Sequence, residues 1–512
     1  MSLNSEHPEY TSLRPDWAVM QDTYAGERCV KGKGLTYLPA TPSMVIDGMK
    51  KTTDAGYAAY ERYKLCAVFW DYVRVAVESL VGMLHQKEPV IKLPAAMEPL
   101  RQKASREGET LYQLLRRINE QQLVYGRLGL LADLPDKFTN NPSTIPYVAL
   151  YNALSIVNWD VSHDDIGIDV TMLVVLNETT FERNAEFTWS EVEKYRVLQL
   201  MRPVQTEEPE NGEKTEPVGS LIYRTGVFRY AQSETFNAAQ MITPMYKGKT
   251  LSVIPFEFIN TKDVLASPEE PPLLGLATLC LAIYRGEANY RQSLFMQGQD
   301  TLVVVGGVPP DDGTVNVTSD PVRRVGAGAV IDVNLGGDAK YIGVSSTGLP
   351  EQRVSLENDK QSAATKAGQL VSPSAGKQES GDALTTRISA QTASLLQIAK
   401  TGAAGLERSL KNIATWMGLN PEEVSVEANT EFLDHLMTSK DLSDLMDARM
   451  KGAPISLRSI HDNMVARGMT ELTFEEEITQ IITEQTLKGA APIEPPSVTA
   501  AAAKKANPSG GA

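Results

Sequence analysis

PPLLGLATLCLAIYRGEANYRQSLFMQG, residues 271–298, opens the stretch on which the fold turns. Pro271-Pro272 follow Glu269-Glu270, which places proline in a helix's first turn and acids at its positive end. Leu273, Ala277, Cys280, Tyr284 and Ala288 recur at three- and four-residue steps and mark one apolar face. The helix expected over 272–297 is about 39 Å long at 1.5 Å per residue, and Gly298 closes it. Thr301–Val305 (TLVVV) then reads as a strand. Thr314–Val317, Ala329–Val333 and Lys340–Val344 read as further short strands, punctuated by PPDDG (309–313) and GGD (336–338). The next expected helix, 350–367, is of another kind. Glu351, Arg353, Glu357, Asp359, Lys360 and Lys366 dominate it, and a helix polar nearly all round lines water or leans on its neighbours. Residues 368–381 (GQLVSPSAGKQESG) are loop by composition. Beyond them Leu384, Ile388, Leu395, Ala399, Leu406, Leu410, Ile413 and Met417 hold helical phase from 382 to 417, about 54 Å. Gly402 and Gly405 inside this run mark the expected bend. Gly418 and Asn420-Pro421 end it.

Upstream, residues 1–55 mix Trp17, Tyr24, Tyr37 and prolines with turn residues and read as an extended arm. Tyr60, Tyr63, Ala67, Trp70, Val73, Val77, Leu80 and Leu84 predict one helix over 56–84, and Leu111, Leu114, Leu115, Ile118 and Leu123 a second over 109–125. The run 126–133 is a buried-strand candidate. Residues 145–203 alternate as antiparallel strands do, 205–217 form a solvated hairpin tip, and 218–231 and 250–258 return as strands. The class is therefore α+β, helices first and sheet second. Downstream, 431–451 and 456–467 form a helical pair, 473–487 is an acidic-to-polar helix, and the tail from Gly489 has the composition of disorder.

With 512 residues, more than one structural module is expected. The formal net charge of -15 argues against a surface that holds nucleic acid by general phosphate neutralisation, although not against a wall that DNA slides past. Cys29, Cys66 and Cys280 are few and scattered, which suggests buried thiols in a reducing compartment. The polar N-terminus is no signal peptide and no apolar run is long enough to span a bilayer, so synthesis in the cytosol and no membrane partner are expected.

No residue set supports catalysis, and no cofactor or metal is expected. Gly248-Lys249-Thr250 ends like a phosphate-binding loop, but Thr243 stands where the first glycine belongs and strand follows where a helix is required. Gly326-Ala327-Gly328 has Ile331 in place of a third dinucleotide glycine, so a β-turn is the better reading. The five histidines are dispersed, and His163-Asp164-Asp165 reads as solvated loop rather than a metal site. The helical pair at 431–467 carries only Arg458 and Arg467 on its second member, so packing suits it better than DNA reading.

Taken in order, several stretches resemble the portal proteins of tailed bacteriophages, in a branch long catalogued as a domain of unknown function. They are ERCVKGKGLTYLP (27–39), Tyr60–Ala67, VGMLHQKEP (81–89), YGRLGLLAD (125–133), Pro146-Tyr147, IVNW (156–159), Tyr195–Leu198, Ile254-Pro255-Phe256, 272–289, 301–306 and 379–384 with Arg387. The resemblance covers about residues 15–485. It implies an α+β portal-like subunit: arm 1–55, wing 56–270, first stem helix 271–299, β-containing clip 300–348, second stem helix 349–367, tunnel loop 368–381, long bent helix 382–418, short helical crown 419–488 and disordered tail 489–512.

The same resemblance implies a homo-oligomeric ring, typically of twelve subunits, at one capsid vertex of the virion, assembled in the host cytoplasm. Double-stranded DNA would pass through it without sequence preference during packaging and ejection. The terminase large subunit and then head-tail adaptor proteins would dock on the clip, and the major capsid and scaffolding proteins would surround it. Ser372, Ser374, Lys377, Gln378, Glu379 and Ser380 are the expected DNA-facing loop residues; Glu357, Lys360 and Lys366 the channel-lining stem; Asp311, Asp312, Arg323 and Arg324 the docking residues; and Gly402 and Gly405 the bend. An acidic wall repels phosphate and so guides DNA rather than trapping it. Another structural virion protein, of tail or baseplate, is the alternative. A packaging NTPase or nuclease is a distant third, for want of a phosphate loop or carboxylate cluster.

Overall fold

The computed structural model describes residues 3–135, 138–139, 144–163, 169–202, 221–229, 236–297, 301–305, 338–342, 348–368, 381–430, 439–466, 470 and 472–488. They fall into two compact units, Met1–Thr430 and Glu431–Ala512.

The first unit opens with α1 (Pro8–Ala25), α2 (Glu27–Gly32) and α3 (Pro42–Ile46), which corrects the extended arm. Pro8 sits where a helix has no use for an N–H, and His7 Nδ1 accepts from the Glu9 amide at 3.3 Å. Trp17 and Met20 are then fully buried. The expected helix over 56–84 is two, α4 (Ala55–Cys66) and α5 (Tyr72–Leu84). An extended link between them inserts Ala67 and Phe69 into the interior, Phe69 edge-on to Tyr284 at 6.2 Å. Next come β1 (Val90–Lys92) and α6 (Leu111–Tyr125), the latter held by a Thr110–Gln113 capping box.

The strands follow: β2 (Arg127–Asp133), β3 (Phe138–Thr139), β4 (Tyr147–Asn152), β5 (Ile156–His163), β6 (Asp169–Asn177), β7 (Thr180–Arg183), β8 (Trp189–Val192), β9 (Lys194–Met201), β10 (Ile222–Arg229), β11 (Met245–Tyr246) and β12 (Phe256–Asn260). Two antiparallel sheets carry most of them, in the orders β12-β2-β4 and β10-β9-β6-β5. The strand expected over 250–258 starts only at Phe256, because Pro255 offers its carbonyl to the Ala132 amide but has no N–H for a ladder. Lys247 and Gly248, both at positive φ, form a two-residue turn closed by mutual Tyr246–Lys249 backbone bonds, so no phosphate loop exists there.

The stretch quoted first becomes α7 (Leu274–Gln297), β13 (Thr301–Val305), β14 (Asp338–Ile342), α8 (Gly348–Gly368) and α9 (Gly381–Met417). The core lies where α6, β2 and the second half of α9 meet. Leu114, Ile118, Leu128, Leu130, Leu406, Leu410 and Ile413 have no exposed surface there, each burial worth about 1.5–3 kcal/mol. After α9, β15 (Ser425–Glu427) pairs antiparallel with β1. Residues 419–430 therefore belong to this unit.

In the second unit, α10 (Ser439–Met450), α11 (Leu457–Ala466) and α12 (Phe474–Lys488) match the expected helices to within eight residues at the starts. Thr473 and Glu476 cap α12 reciprocally, and buried His461 of α11 meets Phe474 edge-on at 5.4 Å. The insert 205–217, the clip strands Thr314–Val317 and Ala329–Val333, Gly326-Ala327-Gly328 and the tail from Gly489 lie outside the described residues.

Candidate functional site

Helices α7 and α8 pack on each other and bracket the antiparallel pair β13–β14, in which Thr301 faces Ile342 and Val305 faces Asp338. At 1.5 Å per residue their 24 and 21 residues span about 36 and 32 Å. Leu276, Ala277, Cys280, Ile283, Tyr284 and Ala288 of α7 are buried against α1, α4 and α5. Burial pushes the Cys280 thiol up to about 11, so this cysteine is inert; Cys29 and Cys66 are exposed, against the expectation of buried thiols. On α8 only Leu356, Ala363 and Ala367 are buried, one stripe, with Glu351, Arg353, Glu357 and Lys366 exposed. The two helices thus differ as their sequences imply.

Lys360 departs from the expectation of a channel-facing cation. Its Nζ lies 2.7 Å from Glu287 Oε1 on α7 and 4.6 Å from the centroid of the Trp70 ring, with 17% of the side chain exposed. Glu287 is 3% exposed, and also accepts from Trp70 Nε1 at 3.2 Å and Arg291 Nε at 3.0 Å. Burial alone would raise its pKa; the donors from Lys360, Trp70 and Arg291 outweigh that and hold it below the usual glutamate value. One carboxylate therefore ties α7, α8 and the α4–α5 link together. Sequence reading gave Glu287 no role. The signal was its register, seven residues after Cys280 on the buried face.

The long helix α9 runs through Gly402 and Gly405 without interruption. The two glycines permit close approach. A Cβ on Gly402 would lie 2.5 Å from Asn119 Nδ2, and one on Gly405 2.3 Å from the Ile259 side chain. A buried polar chain runs beside them. His85 Nε2 meets Asn119 Oδ1 at 2.9 Å, Asn119 donates to Gln122, and Gln122 donates to the Asn260 carbonyl and to Thr401 Oγ1. Burial lowers the His85 pKa, opposed by Asn119, which favours the neutral ring as a donor through Nε2. Thr401 in turn donates to the Thr261 carbonyl at 3.2 Å. Hydrogen bonds in such a place fix register, since each unmade one costs about 1–3 kcal/mol.

Glu357 and Lys366 are exposed on α8. Asp311, Asp312, Arg323, Arg324, Ser372, Ser374, Lys377, Gln378, Glu379 and Ser380 lie outside the described residues. Among the described residues no group of three or more His, Cys, Asp or Glu could hold a metal ion, and no helix is long and apolar enough to cross a membrane. His163 pairs with Asp169 at 2.5 Å in an exposed setting.

The comparisons with known proteins fall on the same elements. Residues 272–417 match DUF4055, a domain of unknown function. The match begins two residues before α7 and ends on the last residue of α9, so it takes in both paired helices, β13, β14 and the long helix. No curated protein matches the sequence. Among solved structures, the chain is similar to one in the virion of a native gene transfer agent (GTA) particle at 11% identity, covering 83% of this chain and 98% of that one, TM-score 0.34. It is also similar to one in the neck of the native GTA particle computed with C12 symmetry (12%, 84% and 98%, 0.35), and to one in the neck of the empty particle computed with C6 symmetry (13%, 83% and 93%, 0.32). Scores and identities this low carry no weight for fold or function.

Proposed function

We propose that the chain is a subunit of a phage portal, a ring at one capsid vertex through which double-stranded DNA is packaged and ejected. One observation carries the reading. Inside the DUF4055 stretch, a helix buried in the α+β body is clamped to a charge-rich helix that buries one stripe, with a β pair between them and a 37-residue helix after them. Repeated around a ring, the exposed faces of α8 would line a wet channel, and the buried second half of α9 would couple that wall to the body. With -15 net charges per chain, the assembly would repel phosphate and let a duplex slide.

The β module would dock the terminase motor, which supplies ATP hydrolysis, and later the head-tail adaptor proteins; capsid and scaffolding proteins would contact the outer body. Of the lysines expected to face DNA, Lys366 and Lys377 would remain available, since Lys360 is engaged by Glu287. Electron microscopy of the purified protein tests the reading. Rings with a central hole are expected, and a monodisperse monomer at high concentration would overturn it.

A further inference from the structure

The hairpin β7–β8 presents three large aromatic side chains to solvent: Phe181 at 66%, Phe187 at 88% and Trp189 at 65% exposure. It is preformed. The Asn184 amide donates to the Thr188 carbonyl at 2.9 Å across the turn, and Ser190 Oγ to Asn184 Oδ1 at 3.0 Å. The register pairs Phe181 with Glu191 and Arg183 with Trp189, so both strand aromatics share one face. Glu182, on the opposite face, is tied to Lys194 and to Arg229. A hairpin anchored on one side and aromatic on the other has its apolar face aimed away from its own sheet. Glu186, Glu191 and Glu193 are exposed around it, while Arg183 is turned onto the Ala185 and Glu186 carbonyls.

A surface of opposite character lies between α4 and α7. A cavity of about 460 Å³ there is lined in part by Arg62, Cys66, Ala288, Arg291 and Phe295, with exposed Leu65 at 75% beside Cys66. Arg62 lies 4.5 Å above the Phe295 ring, and no acid is among the lining residues. The groove is apolar with a cationic rim; the hairpin is apolar with an anionic one. Tryptophan set in a pocket and flanked by charge is the usual composition of an energetically dominant contact.

We propose that the α4–α7 groove of one copy receives the β7–β8 hairpin of the next, with Trp189 or Phe187 filling the cavity and Glu186 or Glu191 meeting Arg62. The inference rests on the ring reading above and adds the contact that propagates it. Two different patches in contact make a heterologous interface, which closes into a ring or continues as a filament rather than stopping at a dimer.

Cys66 supplies the test. Full-length protein carrying Cys29→Ser and Ala185→Cys, which places a thiol on the exposed hairpin turn and keeps Phe187 and Trp189, is expected, when treated with a short bismaleimide, to give a ladder of covalent oligomers that a further Cys66→Ser abolishes. Rings in the microscope without a Cys66-dependent ladder, or a link confined to one chain, would overturn this contact and leave the ring reading intact. An uncross-linked wild type that stays monomeric would overturn both. In a second arm, Arg62→Glu or Glu186→Arg alone should weaken assembly at least tenfold by mass photometry, and the two together should recover most of it. Unchanged assembly in Phe187→Ser/Trp189→Ser, with the melting temperature retained, would count against the proposal independently.

Discussion

Removing either partner of the Glu287–Lys360 pair should loosen α8 from α7. Two unit charges about 4 Å apart attract by about 4 kcal/mol at an effective dielectric of 20, and desolvation of both offsets much of that. Breaking a fully buried pair usually costs about 3–5 kcal/mol. Here Lys360 keeps 17% exposure, and Glu287 retains Trp70 and Arg291, the latter 45% exposed. Lys360→Met, which keeps the stem over Trp70, should therefore cost about 2 kcal/mol, and Glu287→Gln about 2–3 kcal/mol. Because both remove one interaction, the double variant should fall short of the sum by about 2 kcal/mol. Hydrogen exchange of the α8 amides reads this as local opening. The pH dependence has a definite sign. The folded-state pKa of Glu287 lies below its ordinary value, so its contribution is present above the ordinary glutamate range and is lost as pH falls through the lower folded value. A coupling below about 0.5 kcal/mol, or a Glu287→Gln variant with wild-type exchange in α8, would refute the reasoning.

Gly405→Ala tests close approach against bending. Overpacking on Ile259 should cost about 1–3 kcal/mol against a helix-propensity gain of about 1 kcal/mol, so the melting temperature should drop; a rise would mean the glycine serves only flexibility. Glu257, whose pKa burial raises despite the Asn412 donor at 2.7 Å, destabilises the fold when ionised, and stability falls as pH rises through its folded value. Glu257→Gln keeps that acceptor and should raise the melting temperature by about 1–2 °C at neutral pH, the gain vanishing in acid. Arg127 is fully buried between Trp159 at 4.0 Å and Phe258 at 4.7 Å, with no hydrogen-bond partner among the described residues for its three guanidinium nitrogens. Replacement by Met should leave the urea midpoint unchanged or raise it, whereas Ala should lower stability by about 2–4 kcal/mol through the cavity it opens. A loss of that size for Met would show that the charge itself is needed.

Periodicity carried most of what could be read. The phases of α6, α7 and α9 were plain because each buries one stripe over many turns, as Leu395, Leu406, Leu410 and Ile413 do along α9. The α+β class followed from helices preceding alternating strands. Helix α1 was hidden by Pro15 in its middle and by a burial pattern resting on few residues, chiefly Trp17 and Met20. The α4–α5 break was hidden by the opposite fault, since Ala67 and Trp70 happen to continue the helical phase across an extended link. Strand β15 is three residues long and is a strand only because Val90–Lys92 lies beside it. Of the candidate site, the contrast between α7 and α8 was legible. The Glu287 clamp was not, because its partners Trp70 and Lys360 are remote in sequence and only packing brings them together.

The seat of α9 in the core also sets an order of events during synthesis. Leu128 and Leu130 are among the first core strand residues made, and they are covered by Leu406 and Leu410 some 276 residues later (406 − 130). At roughly 5–20 residues per second, that surface waits on the order of 14–55 s for its cover. A ribosome-stalled chain ending before residue 400 should therefore bind a hydrophobic dye that the full-length chain excludes, and equal dye binding by both would dispose of the idea. A nascent chain of this protein is therefore expected to need a holding chaperone until its last long helix has left the ribosome.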